Sequence, residues 1–207
     1  MIKTYTGRYI DSDLIIDGDL TKPEWQRADW VQLVDNFSGG SSRQSTQAGL
    51  LWNQNFLYAA FLCQDDYINA TLRNFNEKLY EEEVVEIFLD PDRDLKTYLE
   101  IEVNPHNAVL HYEIHNNLAG HILQFARIEN RICSMVRCEL ALQQWSAEIA
   151  IPVDEFITAP VAGERWLFNL YRIDRPRDGR DEYSAWSQTG ILNFHVPASF
   201  GELVFAK

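Results

Sequence analysis

The chain reads as all-β: an antiparallel β-sandwich of jelly-roll or immunoglobulin-like type, with about ten strands and one or two short helices. Three observations lead there. Several segments alternate apolar and polar residues at period two, the period of a strand with one face buried. Turn-forming Asn, Asp, Gly and Pro punctuate these segments at short intervals. The chain also carries 6 Trp, 9 Tyr and 11 Phe, residue types that favour pleated surfaces.

Taken in order, residues 14–16 are expected to form a short strand, turned at Asp17-Gly18. Thr21 caps a short helix over residues 23–28, with Pro23 in its first turn. Residues 47–52 and 56–63 make a hairpin across Asn53-Gln54-Asn55, and residues 83–90 form a strand ended by Pro91. Residues 97–103 alternate cleanly, with Leu99, Ile101 and Val103 inward and Tyr98, Glu100 and Glu102 outward. The run Asn104-Pro105-His106-Asn107 turns the chain into a strand over 108–115. Residues 131–140 and 145–151 suggest a second hairpin, with Glu148 facing out. Strands over 166–173, 182–187 and 200–206 complete the set. With 207 residues and no linker, low-complexity tract or repeat, residues 1–207 are expected to form a single domain.

The formal net charge of -13 excludes nucleic acid and anionic membrane surfaces as natural partners, since both demand basic patches. No segment is apolar enough for membrane insertion, and the N-terminal MIKTYTGRYI lacks the apolar core of a signal peptide. Cys63, Cys133 and Cys138 form neither a CxxC pair nor a zinc spacing, and Cys63, in an apolar run, is expected in the core. P-loop, HExxH and nucleophile-elbow signatures are missing.

The most informative segment is YEEEVVEIFLDP, residues 80–91. Val85, Ile87 and Leu89 share one face of its strand, and Val84, Glu86 and Phe88 share the other. A carboxylate among apolar neighbours is costly to desolvate without a partner. Glu86 therefore has either a fixed internal partner or a place in a groove that receives hydroxyl groups. Glu100, Glu102 and Glu148 also lie opposite the apolar stripes of their strands, which predicts a sheet face wetted by solvent. Arg172 has the parity of Phe168 and Leu170, and pairing with a carboxylate such as Asp174 or Glu148 is expected. Asp90, Asp92 and Asp94 imitate the start of a calcium loop. Leu95 and Ile101 stand where an EF-hand needs Gly and Glu, so only an irregular calcium site could form there.

Several segments in the right order together resemble the family 9 carbohydrate-binding modules and their stand-alone relatives. They are IIDGDLTKPEWQRAD (15–29), LWNQNFLYAAFLCQD (51–65), EEVVEIFLDP (82–91), YLEIEVNPHNAV (98–109), WSAEIAIP (145–152), FNLYRID (168–174) and FHVPASFGELVF (194–205). The resemblance implies a β-sandwich that holds a mono- or oligosaccharide, often the reducing end of a glycan, between two aromatic rings. It further implies association with polysaccharide breakdown, secretion or a periplasmic location, no required cofactor and sometimes a structural calcium ion. Position by position, the two clamp rings fall on Tyr80 and Phe194, which are tryptophans in the well-studied modules. The acceptor glutamate falls on Glu86, the asparagine on Asn104 and a polar strand position on Tyr171. Glu102 stands where those modules carry an arginine, and His195 beside Phe194 could donate to a sugar hydroxyl.

Independently of the resemblance, an aromatic face beside directional acceptors suits a sugar ring, which has apolar C–H faces and a polar rim. Trp186 is expected to pack in the core. Three other classes compete with non-catalytic sugar binding: a glycosidase using two of Glu86, Glu102 and Glu148, a haem module, for which Met135 would be the sole internal Met ligand, and an interaction domain with a degenerate sugar site.

Overall fold

The structure is a computed structural model that describes residues 2–207. Its fourteen strands are β1 (Thr4–Tyr9), β2 (Val31–Gln32), β3 (Val34–Asp35), β4 (Thr46–Trp52), β5 (Phe56–Gln64), β6 (Val84–Asp90), β7 (Thr97–Val103), β8 (Val109–Asn116), β9 (Ile122–Ala126), β10 (Cys133–Glu139), β11 (Gln144–Pro152), β12 (Arg165–Asp174), β13 (Glu182–Ala185) and β14 (Gly201–Ala206). Helical structure is confined to single 3-10 turns such as Trp25–Arg27 and Leu79–Glu81. The strands follow one path, β10-β11-β5-β4-β1-β14-β12-β6-β7-β8-β9. Neighbours are antiparallel except where β1 meets β14 and β4, which it pairs in parallel.

The path doubles back so that β4, β5 and β11 face β6, β7 and β12. Leu50, Ala59, Phe61 and Ile149 from the first group and Val85, Ile87, Ile101, Phe168 and Leu170 from the second fill the space between them. Val85, Ile87 and Ile101 are inward positions expected from alternation, and Cys63 and Trp186, expected in the core, join them. The fold is thus the predicted sandwich. The difference lies outside the core. Each layer also buries its outer face, the first under Trp25 and Ile10, the second beneath Leu79, Phe194 and Phe200. No wetted face exists at Glu86, Glu100, Glu102 or Glu148, all of them buried, and the expectation of a solvent-washed sheet is corrected accordingly.

Two further expectations change. Residues 14–16 form no strand, and the helix expected over 23–28 shrinks to the 3-10 turn Trp25–Arg27, with Glu24 rather than Thr21 at its N-cap. The Asp17-Gly18 turn forms as read, and it has a task. The backbone N–H groups of Asp17 and Gly18 each donate to Glu148 Oε2 at 2.9 Å. Gly18 has φ +77°, a left-handed conformation glycine adopts without steric cost. Trp25 Nε1 and Lys22 Nζ complete the coordination of Glu148 at 2.8 and 2.6 Å. This outward glutamate is a structural anchor that pins residues 17–25 over the first layer.

Candidate functional site

The outer face of the second layer carries the chemistry. Strand register sets Glu86 opposite Glu102 and Phe88 opposite Glu100, across β6 and β7. Tyr171 on β12 lies opposite Glu86 from the other side. Period two then brings Glu86, Glu100 and Glu102 to one face of adjacent strands. One oxygen of each carboxylate lies within 4.8 Å of the others. The cluster is almost sealed: Glu86 and Glu100 are 2% exposed and Glu102 is 0%. Glu86 Oε1, Glu100 Oε2 and both Glu102 oxygens accept no hydrogen bond. Burial, then the neighbouring carboxylates, raises Glu86 and Glu102 well above the ordinary carboxylate range, and burial pushes Glu100 up to about 7.

A cavity of about 270 Å³ opens over this floor. Its walls include Tyr80, Phe88, Arg175, Phe194 and His195, and Glu86 and Glu100 reach it from below. Tyr80 sits on the 3-10 turn Leu79–Glu81. Arg175 holds that turn in place: its Nη2 donates to the Tyr80 carbonyl at 3.1 Å, and its Nη1 bonds Tyr183 Oη at 2.8 Å and the Asp181 carboxylate. Burial first, then Tyr112 and the carboxylate floor, pushes the Tyr80 phenol up to about 12, so it remains a neutral ring.

Phe194 stacks on Tyr171 with centroids 4.1 Å apart and planes at 14°. Beneath it, Tyr171 Oη donates to the Phe194 carbonyl at 3.1 Å and accepts from Asn169 Nδ2 at 2.8 Å. Tyr171 is therefore the bed on which Phe194 lies, closed off from the cavity. His195 shares a 2.9 Å hydrogen bond between its Nδ1 and Tyr98 Oη. Burial lowers it to about 4, so the ring is neutral and Nε2 remains for other contacts. Asn104 stands away from the cavity wall. Its Nδ2 donates to the Leu72 carbonyl at 2.9 Å, and its Oδ1 accepts from the N–H groups of His106 and Ala108. That amide is committed to the loop before Tyr80 and to the turn after β7.

The remaining candidates lie elsewhere. Arg172 is buried and lies 3.5 Å from Asp174, with closer contacts to Glu83 at 3.0 Å and Asp65 at 3.3 Å. Glu148, named with Asp174 as a possible partner of Arg172, pairs instead with Lys22. Asp90, Asp92 and Asp94 do converge, each giving one oxygen within 4.8 Å of the others. Asp90 is buried, with Oδ1 unpartnered, and burial pushes it up to about 7. Asp94 is occupied by Lys96 N, Thr97 N and Thr97 Oγ1. Of the cavity residues, Arg175 was not anticipated from sequence. The arginine just past a strand end, ahead of Pro176, was the available signal.

The family model described as carbohydrate family 9 binding domain-like matches residues 16–207. An "extracellular protein" of Arthroderma benhamiae is 26% identical over 174 residues, covering 77% of this chain and 78% of its own. Among solved structures, a candidate carbohydrate-binding protein of Bacteroides uniformis superposes with a TM-score of 0.81 at 16% identity, covering 99% of this chain and 100% of that one. A family 9 carbohydrate-binding module of Caldicellulosiruptor kristjanssonii in complex with glucose gives 0.74 at 19% identity, covering 99% and 97%. The same organism's module in complex with cellotriose gives 0.73 at 19%, covering 99% and 94%.

Proposed function

The chain belongs to the carbohydrate family 9 binding domain-like family, and from that premise we propose that residues 1–207 act as one non-catalytic domain that captures a sugar ring in the cavity over β6 and β7. The observation that carries this reading is the pairing of aromatic walls with an acceptor floor in a space of about 270 Å³. Tyr80 and Phe194 present apolar ring faces to the C–H faces of the sugar. Carboxyl oxygens of Glu86 and Glu100 accept hydrogen bonds from sugar hydroxyls from below, where a water-poor setting strengthens each bond. His195 Nε2 offers a further contact at the rim. Glu102, Tyr171 and Asn104 act from behind, holding the floor, Phe194 and the Tyr80 loop.

The solved Caldicellulosiruptor module in complex with glucose and with cellotriose supports a glucose-like ring, taken as the end of a chain entering an enclosed cavity. The carboxylates also favour binding over hydrolysis. They are gathered on one floor, whereas a glycosidase places its pair across the scissile bond, roughly 5–10 Å apart. Asp90 could add a structural calcium ion at its unpartnered Oδ1, together with Asp92.

Calorimetric titration of glucose, xylose, cellobiose and xylobiose tests the reading, beside a Tyr80→Ala/Phe194→Ala double variant. Binding at millimolar Kd or tighter, about -4 kcal/mol or better, is expected in the native protein and lost in the variant. Absence of heat with every sugar, in folded protein, would instead support an interaction domain with a degenerate site.

A further inference from the structure

The outer face of the first layer, turned away from the cavity, carries a second recess. A groove of about 330 Å³ lies there over β4, β5, β11 and β10. Strand register lines up Gln47, Leu62, Ser146 and Arg137 across these four strands, and directly paired residues share a face. Trp30 forms one wall. Its Nε1 donates to the Trp25 carbonyl at 2.9 Å, so the polar atom of the indole is spent inside and the part it exposes is carbon. The ring lies against the backbone of Gly49, where an added Cβ would stand 3.4 Å from two ring carbons. Glycine within a strand admits such a close approach. The polar groups around the groove are mostly neutral. Gln26 and Gln47 are exposed, and among the described residues neither amide has a protein partner. Gln144 Oε1 accepts from Gln64 Nε2 at 3.2 Å, which leaves its own NH2 to donate. Ser146 Oγ donates to the Gly18 carbonyl at 3.0 Å and can still accept.

We infer that this groove is a second carbohydrate site, one that takes an uncharged oligosaccharide of more than two rings. Its lining sets an apolar stretch, Trp30 and Leu62, beside amides that both donate and accept. That combination matches a chain of sugar rings, with C–H faces and hydroxyl rims. Arg137, the cation at the edge, is already paired with Asp17 and Asp19, and the net charge of -13 disfavours an anionic chain. Strands about 4.8 Å apart put Gln47 on β4 about 14 Å from Arg137 on β10, a span longer than one or two sugar rings. Contacts distributed over that span hold a short sugar weakly and a longer one through their sum. The groove and the cavity over β6 and β7 face away from each other, so one molecule can bridge two glycan chains and gain avidity on a polymer. The groove needs nothing from the cavity to bind.

Calorimetric titration of cellohexaose and xylohexaose tests the assignment in the Tyr80→Ala/Phe194→Ala protein, which keeps the groove and lacks the cavity walls. Binding of a hexasaccharide is expected to remain there, with a change in tryptophan emission as the sugar covers Trp30, while glucose and cellobiose give no heat. Adding Gln47→Ala and Gln144→Ala should weaken that event at least tenfold, and adding Trp30→Ala should do the same. Circular dichroism establishes that each variant is folded, and the glutamine pair, which lies at the surface, decides the matter where Trp30→Ala fails to fold. No hexasaccharide binding to the folded Tyr80→Ala/Phe194→Ala protein would overturn the site. Binding there that the glutamine substitutions leave unchanged would overturn it equally. Glucose and cellobiose titrated into the native chain report on the cavity alone. A hexasaccharide event lost with Gln47 and Gln144 therefore sustains the groove even where those short sugars give no heat.

Discussion

Two groups of three buried carboxylates stand on the second layer and its ends, and they differ in one respect. Asp65, Glu83 and Asp174 surround Arg172, while Glu86, Glu100 and Glu102 surround nothing. In the first group a guanidinium and an indole serve two of the acids directly, although Arg172 Nε and Asp174 Oδ2 stay unpartnered. Arg172 Nη2 reaches Glu83 and Asp65, Nη1 donates to the Gln64 carbonyl at 2.8 Å, and Trp145 Nε1 donates to both acids at 3.0–3.1 Å. That arrangement joins the end of β5, the start of β6 and β12 across the core. The second group, with comparable burial, leaves four oxygens unmatched. A buried acid paired with a cation helps lock a fold, and a buried acid without one is held protonated instead.

The largest effect that would test this contrast comes from removing the cation that is present. Arg172→Met is expected to destabilise the protein by about 3–5 kcal/mol, since it strands buried carboxylates; a denaturant midpoint unchanged from the native value would refute the locking role. Single acids should then respond with opposite signs. Asp65→Asn weakens the acceptor shared by Arg172 and Trp145 and should cost about 1.5–3 kcal/mol. Glu102→Gln removes a buried acid that must take up a proton on folding and should stabilise the protein by about 1 kcal/mol at pH 7. Urea unfolding of both variants decides this, and equal signs would abolish the distinction. Lys22→Met is a milder case. Glu148 keeps the donors Asp17 N, Gly18 N and Trp25 Nε1, and Lys22 is partly exposed, so the loss should stay near 1 kcal/mol.

The pH response is the smallest effect and has a definite sign. Glu100, raised by burial to about 7 from an ordinary 4.5, binds its proton more tightly folded than unfolded. Its stabilising contribution is complete below 4.5 and lost as the pH rises through about 7. His195 is lowered by burial to about 4 from 6.5, so its contribution is present above 6.5 and lost as the pH falls toward 4. The protein should therefore gain stability as the pH falls from 8 to 6.5, from the floor. Glu102→Gln should flatten that gain, and denaturation series at the two pH values measure it.

Much of the scaffold was legible in the sequence because alternation reports parity faithfully. Residues 97–103 were read with the bounds of β7, and Val85, Ile87 and Leu89 point into the core as their spacing requires. Parity does not report what covers a face. Glu100 and Glu148 were expected in water and lie buried, because loops from distant parts of the chain close over both layers. The partners of Arg172 were hidden for the same reason: Asp65 and Glu83 are 107 and 89 residues away in sequence. β1, β9 and the two-residue β2 and β3 were missed. β1 is short and finds its partners, β4 and β14, only through long-range parallel pairing. β9 is an edge strand with exposed Leu123 and Phe125. At the candidate site, the family resemblance pointed to Tyr80, Glu86 and Phe194, which line one cavity, whereas the commitment of Asn104 to backbone groups depends on loop geometry that no spacing encodes.

The parallel seam between β1 and β14 bears on how the chain reaches this state. It pairs Thr4 with Glu202 and Arg8 with Ala206 and joins the two layers along the strand path, beside a smaller link through β2 on β4 and β3 on β13. Hairpins such as β4–β5 and β6–β7 close short loops and form early, at little entropic cost. The seam closes nearly the whole chain at once, and contacts of such separation slow the search for the native topology. The seam is therefore the pairing that spans the most chain in the sandwich, and a molecule in which it opens exposes the edges of β1 and β14 to whatever else is in solution.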